Sequence, residues 1–463
     1  ALKGSQRKVL DGSMSLLYKY KNISFQNRLE VTNTKSSNSP YGSFSDYCAL
    51  NPYYTPYDNN GNLNKILEDY FYQSLQSTNK VYNPLFNAYL PSKNTSSYTD
   101  ITNNCAIEWY IIPELFLRGQ FSFTKEFTRS DIYIPADNTM FDSYTGDDYS
   151  RKGRYTYNPG ESMQYNGRLT LNYTKDFGKH QLFGGFGLTI DQSKSESYTI
   201  IGEGLSIDKM DFIGMSKQYM EGTTPTGTES ISRDFGLLCN LQYTYNQQYF
   251  IDLNGKYDGS SQFGSNNHFA PFWSTGIGWN IHNEKFMKKY KWIDIARLRT
   301  SYGITGSQNF ASYLGMRTYQ IYSGQSTQNW YGVYLLAYGN PDLKWQTTSQ
   351  LNLGFDLELV KHRLVVNFDW YNKLTHDLLA DVNLPLSSGF SSYKDNIGTV
   401  RNKGYEVSFS AQIIRDLRNN FYWTVGLKAA RNINKIEKIS NSLQKLNDEL
   451  TSEVYYTPIL DNV

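Results

Sequence analysis

Residues 340–379 constrain the fold more than any other part of this sequence. Every odd position from Leu351 to Leu359 is apolar, and the positions between them are Asn, Gly, Asp and Glu. After a break at Lys361 and His362, the pattern resumes with Leu364, Val366, Phe368 and Trp370. Strict alternation places the apolar side chains on one face of a strand. Two such segments joined by a short turn predict a β-hairpin with one apolar face and one polar face.

The same alternation recurs along the chain in pairs of segments. The pairs are residues 14–20 and 23–31, 102–112 and 115–125, 169–173 and 182–190, 237–245 and 249–257, 273–281 and 296–302, 351–359 and 364–370, and 405–411 and 423–429. Most joints within a pair are short, whereas long polar segments separate most pairs: 34–101, 126–161, 191–231, 305–345 and 375–402. This asymmetry is typical of a bacterial outer-membrane barrel. We therefore expect an all-β fold, an antiparallel transmembrane β-barrel with about fourteen visible strands, short periplasmic turns and long extracellular loops.

The composition excludes several other classes of protein. The chain has no apolar run long enough for a transmembrane helix. Barrel strands do not contain such runs, because their lumen-facing residues are polar. A formal net charge of +2 without a long basic block gives no indication of nucleic-acid binding. The segment 431–455 loses the alternation, and we expect a short helix there.

No enzyme, metal or cofactor site is predicted. The five histidines lie in or beside turns and loops, and none has a partner at ligand spacing, whereas a metal site needs three or four converging ligands. Residues 184–187 (GGFG) lie inside an alternating strand, without the helix that a nucleotide-binding loop requires. Residues 58–62 (DNNGN) lack the distal glutamate of a calcium loop and predict a turn.

Short motifs then occur in one order along almost the whole chain. They are residues 38–42 (NSPYG), 51–53 (NPY), 257–264 (YDGSSQFG), 301–309 (SYGITGSQN), 340–346 (NPDLKWQ), 369–373 (DWYNK), 377–379 (DLL), 396–398 (NIG) and 402–406 (NKGYE). With these motifs the chain resembles the SusC-like (SusC/RagA) TonB-dependent transporters of Bacteroidetes outer membranes. One departure is Gln262, where that family commonly carries arginine.

The resemblance implies a function, a location and partners. Members of this family import large nutrients, above all oligosaccharides, across the outer membrane. They act with a SusD-like surface lipoprotein that caps the barrel and with the TonB complex, and they are embedded in outer-membrane lipid. A dimer of SusC–SusD pairs and contacts with other surface lipoproteins are further expectations.

The resemblance also implies that the family's chain is longer. A large transporter of this kind has a barrel of about 22 strands with a plugged lumen. We therefore expect residues 1–463 to be part of the barrel, with the plug domain, an amino-terminal extension that contacts TonB and the final strands lying outside this sequence.

Two alternative functions are kept open. The first is TonB-dependent uptake of peptides or metal chelates, which several charged residues converging on one level of the lumen would favour. The second is a surface scaffold or adhesin without a transport role. It predicts that the full gene encodes neither a plug nor a TonB-contact sequence.

Two sets of residues are candidates for function. Aromatic residues of the long loops are candidate ligand or partner contacts, since sugar rings stack on aromatic faces; the alternative is that they pack loop against loop or face a partner protein. These are Tyr53, Tyr54, Tyr57, Trp330, Tyr331 and Tyr334. The second set is expected to face the lumen: Arg297, Arg299, Asp356, Glu358 and Asp369. For its two arginines we favour a structural ion pair with the plug, and the alternative is that they bind ligand.

Overall fold

The computed structural model of the protein describes residues 3–72, 77–205, 207, 211–308, 311–327, 330–390, 392–416 and 421–438. The strands are β1 (Gln6–Tyr20), β2 (Ile23–Ser37), β3 (Ile66–Tyr72), β4 (Ser77–Tyr82), β5 (Lys93–Ile112), β6 (Leu115–Ile134), β7 (Arg154–Phe177), β8 (His180–Glu203), β9 (Gln218–Tyr219), β10 (Thr226–Tyr245), β11 (Tyr249–Ser260), β12 (Phe269–Asn280), β13 (Ile293–Ser307), β14 (Thr318–Thr327), β15 (Trp330–Ala337), β16 (Gln346–Leu359), β17 (Leu364–Asn383), β18 (Ser392–Asp416) and β19 (Phe421–Lys438).

Most of these strands form one antiparallel sheet, which is 15-stranded within the described residues. The strands pair in chain order, β1-β2-β5-β6-β7-β8-β10-β11-β12-β13-β16-β17-β18-β19, and β9 adds to β8. The strand pairs β3-β4 and β14-β15 form two small separate sheets between the long hairpins. This series of hairpins agrees with the all-β architecture that the alternation predicts.

Helices are short and lie in the connections. The α-helices are α1 (Phe44–Cys48) and α2 (Pro84–Tyr89), and the 3-10 helices span Thr139–Phe141, Gly146–Arg151, Ile213–Met215, Ile281–Asn283, Met287–Lys289 and Leu386–Ser388. In the part of the chain that the structure describes, no helix has the length and apolar character needed to cross a membrane.

The apolar side chains of the sheet lie on one face and remain exposed there. Leu253 on β11 is 45% exposed and Ile277 on β12 is 53% exposed. Their neighbours Asp252 and Gly276 project to the opposite face, because successive residues of a strand alternate. An apolar face left uncovered across the sheet is what a barrel wall presents to lipid. We call this the outward face and the polar one the inward face.

The strands are longer than the alternation predicts. Residues 154–161 and 191–203, expected in loops, belong to β7 and β8, whose pairing continues to Arg154 opposite Glu203. These extensions have polar residues on both faces and therefore no apolar period. The outward face carries ion pairs here, Lys125–Glu161 at 2.9 Å and Lys194–Glu229 at 3.1 Å, so the extensions lie beyond the lipid-facing band.

The prediction of a helix over residues 431–455 is wrong for residues 431–438. Residues 431–438 belong to β19, because they continue the backbone pairing with β18 as far as Lys438 opposite Thr399. The rest of that segment lies outside the described residues. The alternation is lost there because polar residues occupy both faces, as in the other strand extensions.

Candidate functional site

Charged residues of the inward face gather at one level of the sheet. In one row across the strands, Arg28 lies opposite Asn104, Asn104 opposite Ser122, Ser122 opposite Asn166, and Asn166 opposite Asp191. Asp191 lies opposite Asp234 on β10. The next row towards the short turns contains Arg168 and Asp258.

A recess of about 470 Å³ opens at this level and is lined by Arg28, Arg118, Arg168 and Asp191. Arg118 forms an ion pair with Glu108 at 3.3 Å, and Arg28 forms one with Glu30. Among the described residues Arg168 makes no ion pair and is exposed. The arginines lie on β2, β6 and β7, and the carboxylates Asp191, Asp234 and Asp258 lie on β8, β10 and β11. This level can therefore attract groups of either charge.

The structure brings together three of the five residues that we expect to face the lumen. Arg299 contacts Asp356 through Nε at 3.2 Å and Asp369 through a terminal nitrogen at 2.7 Å. Asp356 lies on the adjacent strand β16 and Asp369 on β17, the strand beyond it, so the guanidinium already has partners within the wall. Arg297 is separate and donates from Nε to Asn280 Oδ1 at 2.8 Å. Glu358 is paired with His362, at the short turn between β16 and β17.

The predicted aromatic residues do not form one site among the described residues. Tyr53 is 90% exposed, and Tyr57 forms a bridge with Leu63 in the same loop. The hydroxyl of Tyr54 donates to Glu68, and this hydrogen bond raises the pKa of Tyr54 to about 12.

The other predicted aromatics belong to the small sheet formed by β14 and β15. The Tyr334 hydroxyl donates to Gln320 Oε1 at 2.8 Å, across the two strands. The side chains of Trp330 and Tyr331 lie outside the described residues.

On the side of the charged level away from the short turns, one inward row carries the carboxylates Asp11, Asp100 and Glu126, and the rows beyond it carry mainly uncharged hydroxyl groups. Thr34 lies opposite Tyr98, and Tyr98 lies opposite Thr128. In the next row, Ser36 and Ser96 are hydrogen-bonded at 2.7 Å. These strands line a recess of about 530 Å³, whose inward-facing residues are Thr34, Ser36, Ser96, Tyr98, Thr128, Ser130, Asn158, Ser197 and Thr199, with Arg7 at its edge. We call it the hydroxyl recess.

A buried network of charges orders the loops outside the sheet. Glu203 is 1% exposed and accepts hydrogen bonds from Arg151 Nε at 2.7 Å and Gln218 Nε2 at 2.8 Å. Burial would raise the pKa of Glu203, but the hydrogen bonds outweigh it and hold the pKa below its usual value.

A second buried carboxylate, Asp131, lies near the upper end of β6. It accepts a hydrogen bond from the Tyr155 hydroxyl at 2.7 Å and one from Arg129 Nε at 2.6 Å. Burial opposes the charged form of Asp131 as well, but these two donors lower its pKa overall.

Three of the sequence motifs meet in one cluster that the sequence does not predict. The Phe263 and Trp345 rings stack with centroids 4.2 Å apart, and the Gly264 amide donates to the Leu343 carbonyl at 3.0 Å. The Asn396 side chain accepts from the Lys344 amide at 2.9 Å and donates to its carbonyl at 2.9 Å. We call residues 257–264, 340–346 and 396–398 the motif cluster.

Sequence reasoning missed Arg28, Arg118, Arg168, Asp191 and Asp234 as members of one level. Their alternation with apolar neighbours places each on the inward face. Their shared level depends on register between strands, which the alternation does not contain. Within the described residues no group of three or more His, Cys, Asp or Glu side chains has the geometry to hold a metal.

Comparison with known proteins gives a family match over most of the chain. Residues 24–448 match the family model described as TonB dependent receptor-like, beta-barrel. TonB-dependent receptor P39 of Formosa agariphila is 32% identical over 325 residues, covering 66% of this chain and 31% of that protein. TonB-dependent receptor SusC of Bacteroides thetaiotaomicron is 29% identical over 206 residues, covering 43% of this chain and 20% of SusC. The chain thus spans about a third or less of the length of these relatives.

Solved structures agree with the fold. The RagAB peptide importer in its 'closed-closed' state matches with a TM-score of 0.79 and 23% identity, covering 94% of this chain and 47% of that one. The ferric-catecholate import receptor Fiu from E. coli matches with a TM-score of 0.51 and 10% identity, covering 94% of this chain and 59% of Fiu. At these identities the likeness concerns the fold alone, and it confirms the transmembrane β-barrel.

Proposed function

Because the chain belongs to the family of TonB-dependent receptor-like β-barrels, we propose that it forms part of an outer-membrane importer of large nutrients, with oligosaccharides as the first substrate class. The SusC-like resemblance and the outer-membrane location are confirmed by the family match and the barrel fold. Its relatives are named as receptors, not as enzymes. The chemistry of such a protein is binding, enclosure and release.

The hydroxyl recess is the observation that supports oligosaccharides as the substrate class. Its inward-facing side chains are mostly short hydroxyls, with one amide, one aromatic ring (Tyr98) and one cation (Arg7); a second lining cation, Arg129, belongs to the outward face. Short hydroxyl side chains both donate and accept hydrogen bonds, and they lose little conformational entropy when they bind. This combination is complementary to a ligand with many hydroxyl groups and apolar C–H faces.

We further propose a SusD-like lipoprotein and the TonB complex as partners, acting with parts of the protein beyond this sequence. The sequence similarity to SusC and the structural similarity to RagAB support this proposal. RagAB has been solved in states named 'closed-closed' and 'open-open'. A ligand would shift the balance between such states by binding one of them more tightly.

Uptake by the source bacterium tests this function. The gene is deleted and restored in full length, and the cells are offered a panel of neutral oligosaccharides and a panel of peptides. We expect deletion to abolish uptake of at least one oligosaccharide, and Thr128→Trp, which fills the hydroxyl recess, to reduce it. Phe127→Trp is the matched control because Phe127 lies on the outward face of the same strand and is already exposed.

A peptide importer is the second candidate. The charged level of the inward face favours it, since peptides carry both ammonium and carboxylate groups, and the RagAB protein is named as a peptide importer. Loss of peptide uptake alone in the deletion strain would replace the first candidate by this one. If uptake of both panels is unchanged, oligosaccharide and peptide import are both wrong, and metal-chelate uptake and the scaffold role are the alternatives that stay.

A further inference from the structure

A second concentration of positive charge lies on the outward face, away from the lumen. A recess of about 420 Å³ is lined by Lys8, Lys35, Lys93 and Arg129, together with serine and threonine hydroxyls. Asp131 is its one carboxylate among the described lining residues. The four cations come from β1, β2, β5 and β6, and three of these strands are paired on both sides. We call this feature the basic recess.

The register forces like charges together in the basic recess. Lys8 lies directly opposite Lys35, Lys35 lies opposite Ser97, and Ser97 lies opposite Arg129. Like charges directly opposite each other destabilise a sheet unless a counter-charge is present. Among the described residues, neither Lys8 nor Lys35 has an ion pair within 4 Å. An anion from outside the chain would relieve this repulsion.

The other two cations have partners but remain accessible. Arg129 is held by Asp131 at 2.6 Å and keeps half of its side chain exposed. The Lys93 ammonium lies 3.5 Å from Asp211, whose side chain is 56% exposed. Ion pairs between partly exposed side chains, such as Lys93 and Asp211, contribute little binding energy, so an incoming anion can compete for Lys93.

The basic recess lies just beyond the lipid-facing band, on the side away from the short turns. On β1 the outward positions are Tyr20, Tyr18, Leu16, Met14, Gly12 and Leu10, and Lys8 is the first charged residue after them. On β6 the outward face becomes polar at Lys125, and Phe127 and Arg129 occupy the next two outward positions. The recess thus lies at the ends of the strands remote from the short turns. In an outer-membrane barrel that is the extracellular leaflet.

We propose that the basic recess binds the phosphorylated headgroup of a glycolipid of the outer leaflet. Lysines supply point charges for phosphate oxygens, and the serine and threonine hydroxyls donate the remaining hydrogen bonds. The exposed apolar residues of β1 nearer the short turns, such as Met14 and Leu16, lie where the acyl chains of the same molecule run. Both contacts together fit a membrane-anchored phosphate better than a free ion, which would meet only the exposed cations.

The test uses the full-length protein with its partners, reconstituted in nanodiscs that contain either phosphorylated lipid A or its dephosphorylated form. Native mass spectrometry measures the lipid A that each protein retains. The variant is Lys8→Gln with Lys35→Gln. Lys179→Gln with Lys361→Gln removes the same charge at the short turns and is the matched control.

We expect the variant to retain phosphorylated lipid A about 25-fold more weakly, at about fivefold per lysine, and the control to behave as the unmodified protein. Retention of phosphorylated lipid A should also fall at high salt. Lys35→Gln alone should show about a fivefold loss and Lys35→Arg none, which separates the charge from any folding defect.

Three results would overturn the proposal. The first is equal retention of lipid A by the variant and the control. The second is equal retention of the phosphorylated and dephosphorylated lipids. The third is displacement of the lipid by millimolar inorganic phosphate, which would assign the recess to a free anion.

Discussion

At the residue scale, two carboxylates are buried together with their hydrogen-bond donors at the ends of strands that extend beyond the lipid band. Glu203 and Asp131 are both buried, and each accepts from an arginine and from a neutral donor. A buried charge is stable only when it is paired and hydrogen-bonded. The segment that contains Arg151 is therefore held against β8 as long as Glu203 stays ionised, and Asp131 joins the ends of β6 and β7.

Acidification should release the loop around Glu203. Because its pKa is lowered in the folded state, the stability it contributes is present above the unfolded pKa of about 4.3 and is lost as the pH falls through the lower folded pKa. We expect hydrogen exchange at the Glu221 amide, which donates to Glu203 at 3.2 Å, to accelerate below about pH 4.

Arg151→Ala should give the same acceleration at neutral pH, because it leaves Glu203 without its charged partner. Lys152→Ala is the control, since Lys152 lies over the Tyr149 ring and not against Glu203. An Arg151→Ala protein with normal exchange at neutral pH would contradict this account of the loop.

Tyr155→Phe should destabilise the upper ends of β6 and β7. The Tyr155 hydroxyl is buried and donates to the Asp131 carboxylate, and a hydrogen bond to a charged group contributes about 1.5–3 kcal/mol. The measurement is the free energy of local opening from the denaturant dependence of hydrogen exchange. Tyr157→Phe, which keeps the ring beneath Arg129, should leave that free energy unchanged; equal effects of both substitutions would contradict the role of the Tyr155 hydroxyl.

At the scale of elements, the motif cluster explains why three segments distant in sequence carry recognisable motifs. Two segments meet through backbone and ring contacts, and the third binds Lys344 through Asn396. Trp345 is 6% exposed at the centre of the cluster. The motifs therefore fasten the loop after β11, the segment before β16 and the start of β18 to one another.

Gly264→Ala should loosen this cluster. A methyl group at Gly264 would lie 2.1 Å from the Pro341 carbonyl oxygen, which belongs to the backbone and cannot rotate away. Overpacking of this kind costs about 1–3 kcal/mol, and we expect a matching fall in the free energy of unfolding measured with denaturant. Gly255→Ala on β11 should have little effect, because nothing lies within 4 Å of its added methyl group. A Gly264→Ala protein as stable as the Gly255→Ala protein would disprove the close packing.

At the scale of the whole molecule, the sheet combines a lipid-facing band with polar extensions on the extracellular side. Tyr249 and Tyr257 border this band on β11, with Leu253 midway between them on the outward face. Aromatic residues near the two interfaces and aliphatic residues between them are the arrangement of a barrel in a bilayer.

Leu253→Lys should therefore impair insertion into lipid. A lysine on the lipid face costs about 2–4 kcal/mol at the midplane and about 0–1 kcal/mol near an interface. We expect urea unfolding from lipid vesicles at a lower midpoint for Leu253→Lys, with little change for Tyr257→Lys. If both substitutions have the same effect, the placement of the lipid band is wrong.

The candidate site was only partly predictable from the sequence. Alternation predicts Arg299, Asp356 and Asp369 on one face, and the structure joins them in one ion-pair group. Their exposure to a lumen and the ligand contacts of the loop aromatics stay predictions. The hydroxyls of Tyr54 and Tyr334 donate hydrogen bonds to nearby residues, Glu68 and Gln320.

The sequence by itself determined the hairpins, the turns between them and the face on which each side chain lies, because alternation is a local property of each strand. The tertiary structure decided the length of the strands, the motif cluster, the charged level and the basic recess. The charged level and the basic recess depend on register between strands, as when Lys35 and Arg129 meet in one row through Ser97. The motif cluster depends on contacts between segments that are distant in sequence. Register is set by backbone pairing across the sheet and therefore exists only in the assembled fold.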